Sequence, residues 1–278
     1  MKCGWSITKK YQSGKLQQIL WQKFVWKRYT LNQLADEYHR SINWVKKNLD
    51  AAALRGHSTN PQPIIAVSDA TFWGRGYGVL VVRCPRLKKN IHYHEIATET
   101  PFEYLKARRT VEAKGFVLEA AVIDGKRGVK AIFDDVPVQM CQFHQIQIVK
   151  RYLTSRPKLD AGKELRAITL ALPVMTEKSF TELLKEWHNR WKDFLKERTY
   201  REDEKHWQYT HRRIRSAYRS LMSNLPNLFI YQKYPELHIP NTTNSIDGYF
   251  SRLKSLLNIH RGLTKQRRYK LIQEILGH

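Results

Sequence analysis

Ile64-Ile65-Ala66-Val67-Ser68-Asp69 is a short, mostly apolar run that closes on an acid. A run of this length and composition suits a strand covered on both faces. It also marks a change of period, because the residues before it follow helical spacing. Working outward, Tyr77 to Arg83 reads as a second strand, with Gly74 and Gly76 in the turn, so the two form a hairpin. Ile91 to Ile96 is a third, more alternating strand. Pro101 to Lys114 reads as a helix with proline in its first turn and Gly115 past its end. Leu118 to Asp124 is a fourth strand, Gly128 to about Phe133 a short helix, and Val136 to Phe143 a fifth strand.

The order is three strands, helix, strand, helix, strand. Three antiparallel strands followed by βα units make an α/β fold with a mixed sheet and helices on its faces. This order resembles the ribonuclease H-like fold. In it the first and fourth strands lie side by side, so Asp69 and Asp124, at their ends, project from one edge of the sheet.

Before the sheet, residues 1–55 read as helical. Lys15 to Arg28 carries Leu16, Ile19, Leu20 and Phe24 at helical spacing. Thr30 caps a second helix with Leu31, Leu34, Ala35 and Tyr38 on its apolar face, and Ser41 caps a third with Ile42, Val45 and Leu49 inward. Asn43, Trp44, Lys46 and Lys47 face outward. This pattern suits a helix-turn-helix domain that reads DNA; an amphipathic helical hairpin that reads nothing is the plain alternative. Residues 56–63, with two prolines, form a linker. Residues 145–240 read as an all-helical insertion, with Leu183, Leu184, Trp187, Trp191 and Leu195 as a core face. Trp207 and the run His211 to Arg215 suit either phosphate contact or a solvated surface. Residues 241–278 supply a helix from Ser245 to about Leu257 and a basic tail, and return to residues 64–144 to complete the ribonuclease H-like core.

Among 278 residues, 49 are Lys or Arg and 25 are Asp or Glu, a net charge of +24. The surplus is spread along the chain. A folded surface for a polyanion is the natural reading, and nucleic acid the natural partner. The three cysteines, Cys3, Cys84 and Cys141, form no close pair, which argues against a disulfide scaffold. No apolar run has the roughly 20 residues that span a bilayer. A cytoplasmic protein is expected, with no membrane partner.

Two acids at one sheet edge offer oxygen ligands to hard divalent cations. A metal pair roughly 3.5–4 Å apart activates an attacking oxygen and stabilises a leaving one, which suits phosphodiester chemistry. Asp247, near the start of the helix after Asn241-Thr242-Thr243-Asn244, is the candidate third ligand. Taken singly, Asp69 or Asp124 suits a turn former or helix cap, and Asp247 suits the N-terminus of its own helix.

Four segments carry a family resemblance: Val67-Ser68-Asp69-Ala70-Thr71; Val122-Ile123-Asp124-Gly125-Lys126-Arg127-Gly128; Gln139-Met140-Cys141-Gln142-Phe143-His144; and Asn241 through Lys254. Over about residues 60–278 the chain resembles DDE-class insertion-sequence transposases of the Mutator-like group. The resemblance implies Asp69, Asp124 and Asp247 as catalytic ligands of two Mg²⁺ or Mn²⁺ ions, with Cys141 and His144 beside them. It implies a DNA transposase that binds element ends and catalyses strand cleavage and strand transfer, with double-stranded DNA (terminal inverted repeats and target) as partner. A homodimer or larger assembly on DNA follows, since two ends need two active sites. Lys126, Arg127, Arg252 and Lys254 are candidate phosphate contacts beside the Asn43, Trp44, Lys46 and Lys47 face. The third acid of the family is usually Glu and is Asp here. Met1 to Trp5 resembles the last fragment of a cysteine-rich zinc module. The alternatives are a catalytically decayed, transposase-derived repressor or architectural protein, and a metal-dependent nuclease of the same fold.

Overall fold

A computed structural model describes residues 13–54, 59–200 and 206–277; the suggested zinc-module remnant at 1–5 lies outside them. The chain divides into two compact units, residues Met1–Thr59 with Gly248–His278, and residues Asn60–Asp247.

The first unit opens with three helices, α1 (Ser13–Val25), α2 (Leu31–Glu37) and α3 (Ile42–Ala51). Thr30 starts α2 through a capping box: its Oγ1 accepts from Gln33 N–H and its own N–H donates to Gln33 Oε1. Ser41 Oγ accepts from Trp44 N–H at the start of α3. Leu20, Phe24, Leu34, Val45 and Leu49 are buried. Ile42, expected inward, is 40% exposed, because it occupies the first position of α3, ahead of the turn that packs.

The second unit is built on a five-stranded mixed sheet: β1 (Pro63–Phe72), β2 (Gly78–Cys84), β3 (Lys89–Ile96), β4 (Val117–Ile123) and β5 (Val138–Met140), in the order β3-β2-β1-β4-β5. The β1–β2 and β2–β3 pairs are antiparallel, and β1–β4 and β4–β5 are parallel. Helix α4 (Pro101–Ala113) crosses from β3 to β4 and buries Tyr104, Ala107 and Val111 in the core formed by Leu80, Val82, Ala121 and Ile123. The expected fifth strand, Val136 to Phe143, is shorter. Cys141 already stands at the N-cap of α5 (Gln142–Leu153), where the chain turns helical.

After α5 come α6 (Asp160–Ala171) and α7 (Glu177–Trp191), then the paired strands β6 (Arg198–Tyr200) and β7 (Trp207–Tyr209), then α8 (Arg212–Leu228) and α9 (Ile230–Lys233). The insertion is therefore not all-α. Its hairpin has strands of three residues, too short for any period to show in the sequence. Leu184, Trp187 and Leu195 are buried with Leu165, Ile214 and Leu221, and the Trp187 indole N–H donates to Ala161 O at 2.9 Å. The expected core face is thus a core face. Gln139, fully buried, ties β5 to this helical layer: its amide donates to Leu228 O, and its Oε1 accepts from Tyr231 N–H.

The chain then enters α10 (Asn244–Ile259) and α11 (Lys265–Gly277). From Gly248 onward they belong to the unit of the N-terminal helices, whereas the sequence reading grouped 241–278 with the sheet. The His260 ring lies tilted against Phe24 with centroids 3.9 Å apart, and Arg267 clamps Asp50 with two bonds of 2.7 and 2.6 Å. Among the described residues no helix is long and apolar enough to cross a membrane.

Candidate active site

Backbone register places the first two acids. In the parallel pair β1–β4, Val67 lies opposite Val122. Two residues further on stand Asp69, still within β1 and by the period of two on the face of Val67, and Asp124, the first residue past β4. Asp124 follows the last residue of β4, as expected, but β1 runs on to Phe72 with β2 as its partner. Asp69 therefore lies within its strand, at the point where β4 has left it.

Each of these acids is held by backbone. Asp69 Oδ1 accepts from Ala70 N–H at 2.7 Å, and Asp124 Oδ1 accepts from Lys126 N–H at 2.9 Å. The second contact closes a tight turn through Gly125, whose φ is +85°. A Cβ there would meet only the movable end of the Met140 side chain, so it is the left-handed backbone that asks for glycine.

Asp247 lies in the first turn of α10. The segment leading to it is fastened to the start of α5. Gln142 N–H donates to Asn241 O at 2.9 Å, Asn241 Nδ2 donates to Gln142 Oε1 at 3.0 Å, and Thr243 N–H donates to Cys141 Sγ at 3.3 Å. Thr243 O in turn accepts from Ile246 N–H at 2.8 Å and from Asp247 N–H at 3.4 Å. On its other side, Cys141 N–H donates to Ile123 O, the residue before Asp124. The Cys141 segment and the Thr-Thr-Asn segment are thus one piece of architecture.

The acids sense one another. Burial, first, pushes the Asp69 carboxyl up to about 7; the charges of Asp124 and Asp247 push the same way, and His144 and the Ala70 amide oppose them. Asp124 is also raised, by burial first and then by Glu99. His144 supplies the opposing cation. The Cys141 thiol beside it, and the charges on Asp69 and Asp124, push its imidazole up to about 9. Burial works to raise the Cys141 thiol, but His144 and Thr243 outweigh it and leave it below the usual thiol value.

Two neighbours were not found in the sequence. Glu99 accepts from the Tyr104 hydroxyl at 2.8 Å and from Lys126 Nζ at 3.2 Å, and its charge acts on Asp124. Glu99 sits in a loop with no motif around it, and no signal marks it. Tyr104 is 1% exposed and reads as an ordinary core residue.

The remaining candidates separate. Lys126 reaches the rim but is engaged by Glu99. Arg127 is exposed beside it. Arg252 and Lys254 belong to the other unit, where the Arg252 guanidinium lies 5.0 Å from the Trp26 ring. On α3, Asn43 and Lys47 are exposed, Lys46 is half-buried, and Trp44 packs near Tyr38 and beneath Arg40.

The donor set of Asp69, Asp124 and Asp247 is oxygen-only and rich in negative charge, which fits a hard divalent cation. As the side chains stand, no three His, Cys, Asp or Glu among the described residues are close enough to share one ion. No protein-family model matches the chain, and no curated protein matches it.

Proposed function

We propose that this chain is a DNA transposase of the DDE class with a ribonuclease H-like core, and that Asp69, Asp124 and Asp247 are its metal-binding acids. One observation supports the reading: Asp69 in β1 and Asp124 just past the end of the neighbouring β4, remote in sequence, stand at one end of a parallel strand pair, and the segment leading to Asp247 is tied to the start of α5 that follows β5. The strand order, with three antiparallel strands followed by two parallel ones, supports the core assignment. The net charge of +24 supports a polyanionic substrate.

In this reading the carboxyls, raised first by burial, keep a surplus of negative charge that His144 only partly offsets. Two divalent ions, Mg²⁺ or Mn²⁺, are the cofactor that such a set takes, and they supply charge stabilisation at the attacking and leaving oxygens of an in-line displacement. The residues of the chain do the rest. Backbone amides at Ala70 and Lys126 fix one oxygen of Asp69 and one of Asp124. His144 holds a positive charge beside them, available to a phosphate. The helices α2 and α3, joined by a four-residue turn over 38–41, suit recognition of the element ends, with a dimer or larger assembly bringing two ends together.

The test is a strand-transfer assay with the element's own terminal repeats and Mg²⁺ or Mn²⁺. Wild-type protein is expected to join ends to target DNA, and Asp69→Ala, Asp124→Ala and Asp247→Ala each to abolish joining while leaving duplex binding intact. Full activity of Asp69→Ala refutes the metal assignment. Cleavage without joining selects the nuclease reading. A second reading, a non-catalytic repressor or architectural protein, is favoured by the open spacing of the acids; duplex binding with no metal-dependent nicking selects it.

A further inference from the structure

The β6–β7 ribbon presents a face that its fold does not need. In its register Arg198 lies opposite Tyr209 and Tyr200 opposite Trp207, so these four side chains share one face, while Thr199 and Gln208 occupy the other. An aromatic face of this size is ordinarily buried against a core. Here Tyr200 is 58% and Trp207 43% exposed. Arg198 lies 3.9 Å from the Trp207 ring, and Tyr209 meets Trp207 edge-on at 5.1 Å.

At its Tyr209 end the ribbon borders a cavity of about 450 Å³. Lys192, Lys196, Arg215 and Arg219 line it together with His188, and no acid does among the described residues. Lys196 is paired with Asp193, and Arg215 lies 3.5 Å from the Tyr209 ring and donates to Leu195 O. Among the described residues Arg219 forms no ion pair, and Lys192 acts on Asp193 through its charge without a direct bond. The cavity falls within the size range of ligand sites, and its lining suits an anion.

We propose that the aromatic ledge and this basic cavity together bind an unpaired DNA strand, with an unstacked base on Trp207 and its flanking phosphates at Lys192 and Arg219. The chemistry favours a single strand over a duplex: a duplex offers phosphates to the cavity but hides its base faces from the ledge, whereas an unpaired strand satisfies both. An acidic peptide would likewise use the cavity and leave the ledge idle. This inference rests on DNA being the substrate but not on the acids or on metal.

The experiment measures binding of the full-length chain, without divalent ions, to a short labelled single strand, to the same sequence as duplex, and to polyglutamate. Trp207→Ala is expected to weaken single-strand binding about tenfold and to change duplex binding by less than about twofold, with Trp207→Phe restoring most of the loss. Lys192→Glu with Arg219→Glu is expected to weaken single-strand binding and to flatten its logarithmic salt dependence by about 1.4, at roughly 0.7 per lost phosphate contact. Equal losses on single strand and duplex, no loss at all, or polyglutamate binding as tightly as DNA overturns the inference. An unchanged Trp207→Ala protein beside an Asp69→Ala protein that binds but cannot join ends removes this site alone. A chain that binds no DNA removes the transposase reading as well.

Discussion

Cys141 and Thr243, 102 residues apart, are joined by two contacts: the Thr243 amide donates to Sγ at 3.3 Å, and the Thr243 hydroxyl lies 3.4 Å from the same sulfur. Cys141 also bonds to Ile123 O, and Thr243 O receives the Asp247 amide, so this pair links the second acid to the third. Both residues are fully buried. Thr243→Val keeps the shape and removes the hydroxyl. It is expected to cost about 1 kcal/mol of stability and to reduce strand transfer far more than a loss of that size explains. Comparing melting temperature with joining rate checks it, and a proportionate fall in both contradicts a positioning role.

Asp69 gives a signed pH dependence. Its folded value, about 7, lies above the ordinary 3.8, so the neutral form suits the fold. Stability is fully present below the unfolded value and is lost as pH rises through about 7. A shift of this size corresponds to about 4 kcal/mol at pH 8. Asp69→Asn, always neutral, is expected to match wild type at pH 4 and to melt higher at pH 8. Mg²⁺ or Mn²⁺ is expected to narrow the difference at pH 8 by stabilising only the wild-type carboxylate. Thermal melts over pH, with and without metal and with chelator, decide the matter.

Gly125→Ala is expected to be costly out of proportion to its size. The added methyl meets Met140, and the φ of +85° is one that alanine resists. A loss of about 1–3 kcal/mol is expected, mostly from backbone strain, since the Met140 side chain can shift. Denaturant titration measures it, and a neutral substitution would falsify the tight-turn account of how Asp124 is held.

The grouping of α10 and α11 with the N-terminal helices predicts mutual dependence. Lys270 Nζ donates to Leu49 O and Asp50 O, both at 2.7 Å, and Arg267 grips the Asp50 carboxylate. A chain truncated before residue 248 is expected to lose helical order around Trp21 and Phe24, seen as amide exchange in α1 faster by orders of magnitude. Retained protection there would show that α1 to α3 stand alone.

The strand order was legible because the strands had their own signals: mostly apolar runs from Ile64 and from Leu118, glycines at 74 and 76, and Gly115 after the α4 pattern. The acids were legible because two of them close such runs. The continuation of β1 to Phe72 was not, since Asp69-Ala70-Thr71 reads as a strand end until β2 is known to pair with it. The hairpin at Arg198 and Trp207 was too short to leave a period. Glu99 and the Cys141–Thr243 contact are products of tertiary proximity, which spacing along the chain does not encode. The C-terminal helices were misgrouped for a related reason: an amphipathic pattern shows that a helix has an inner face, but not which core that face joins.

The unequal lengths of β1 and β4 leave a notch in the sheet. Past Val67, β1 keeps one neighbour and loses the other, so the ground next to Asp69 that a further turn of β4 would have filled is given over to the loop at Asp124 and Gly125. Lengthening β4 by a residue pair would zip this opening shut without touching any of the three acids. On the proposed reading, such an insertion would leave a well-folded protein whose acids are closed to a phosphodiester, and access would then be a property of strand length as much as of side-chain chemistry.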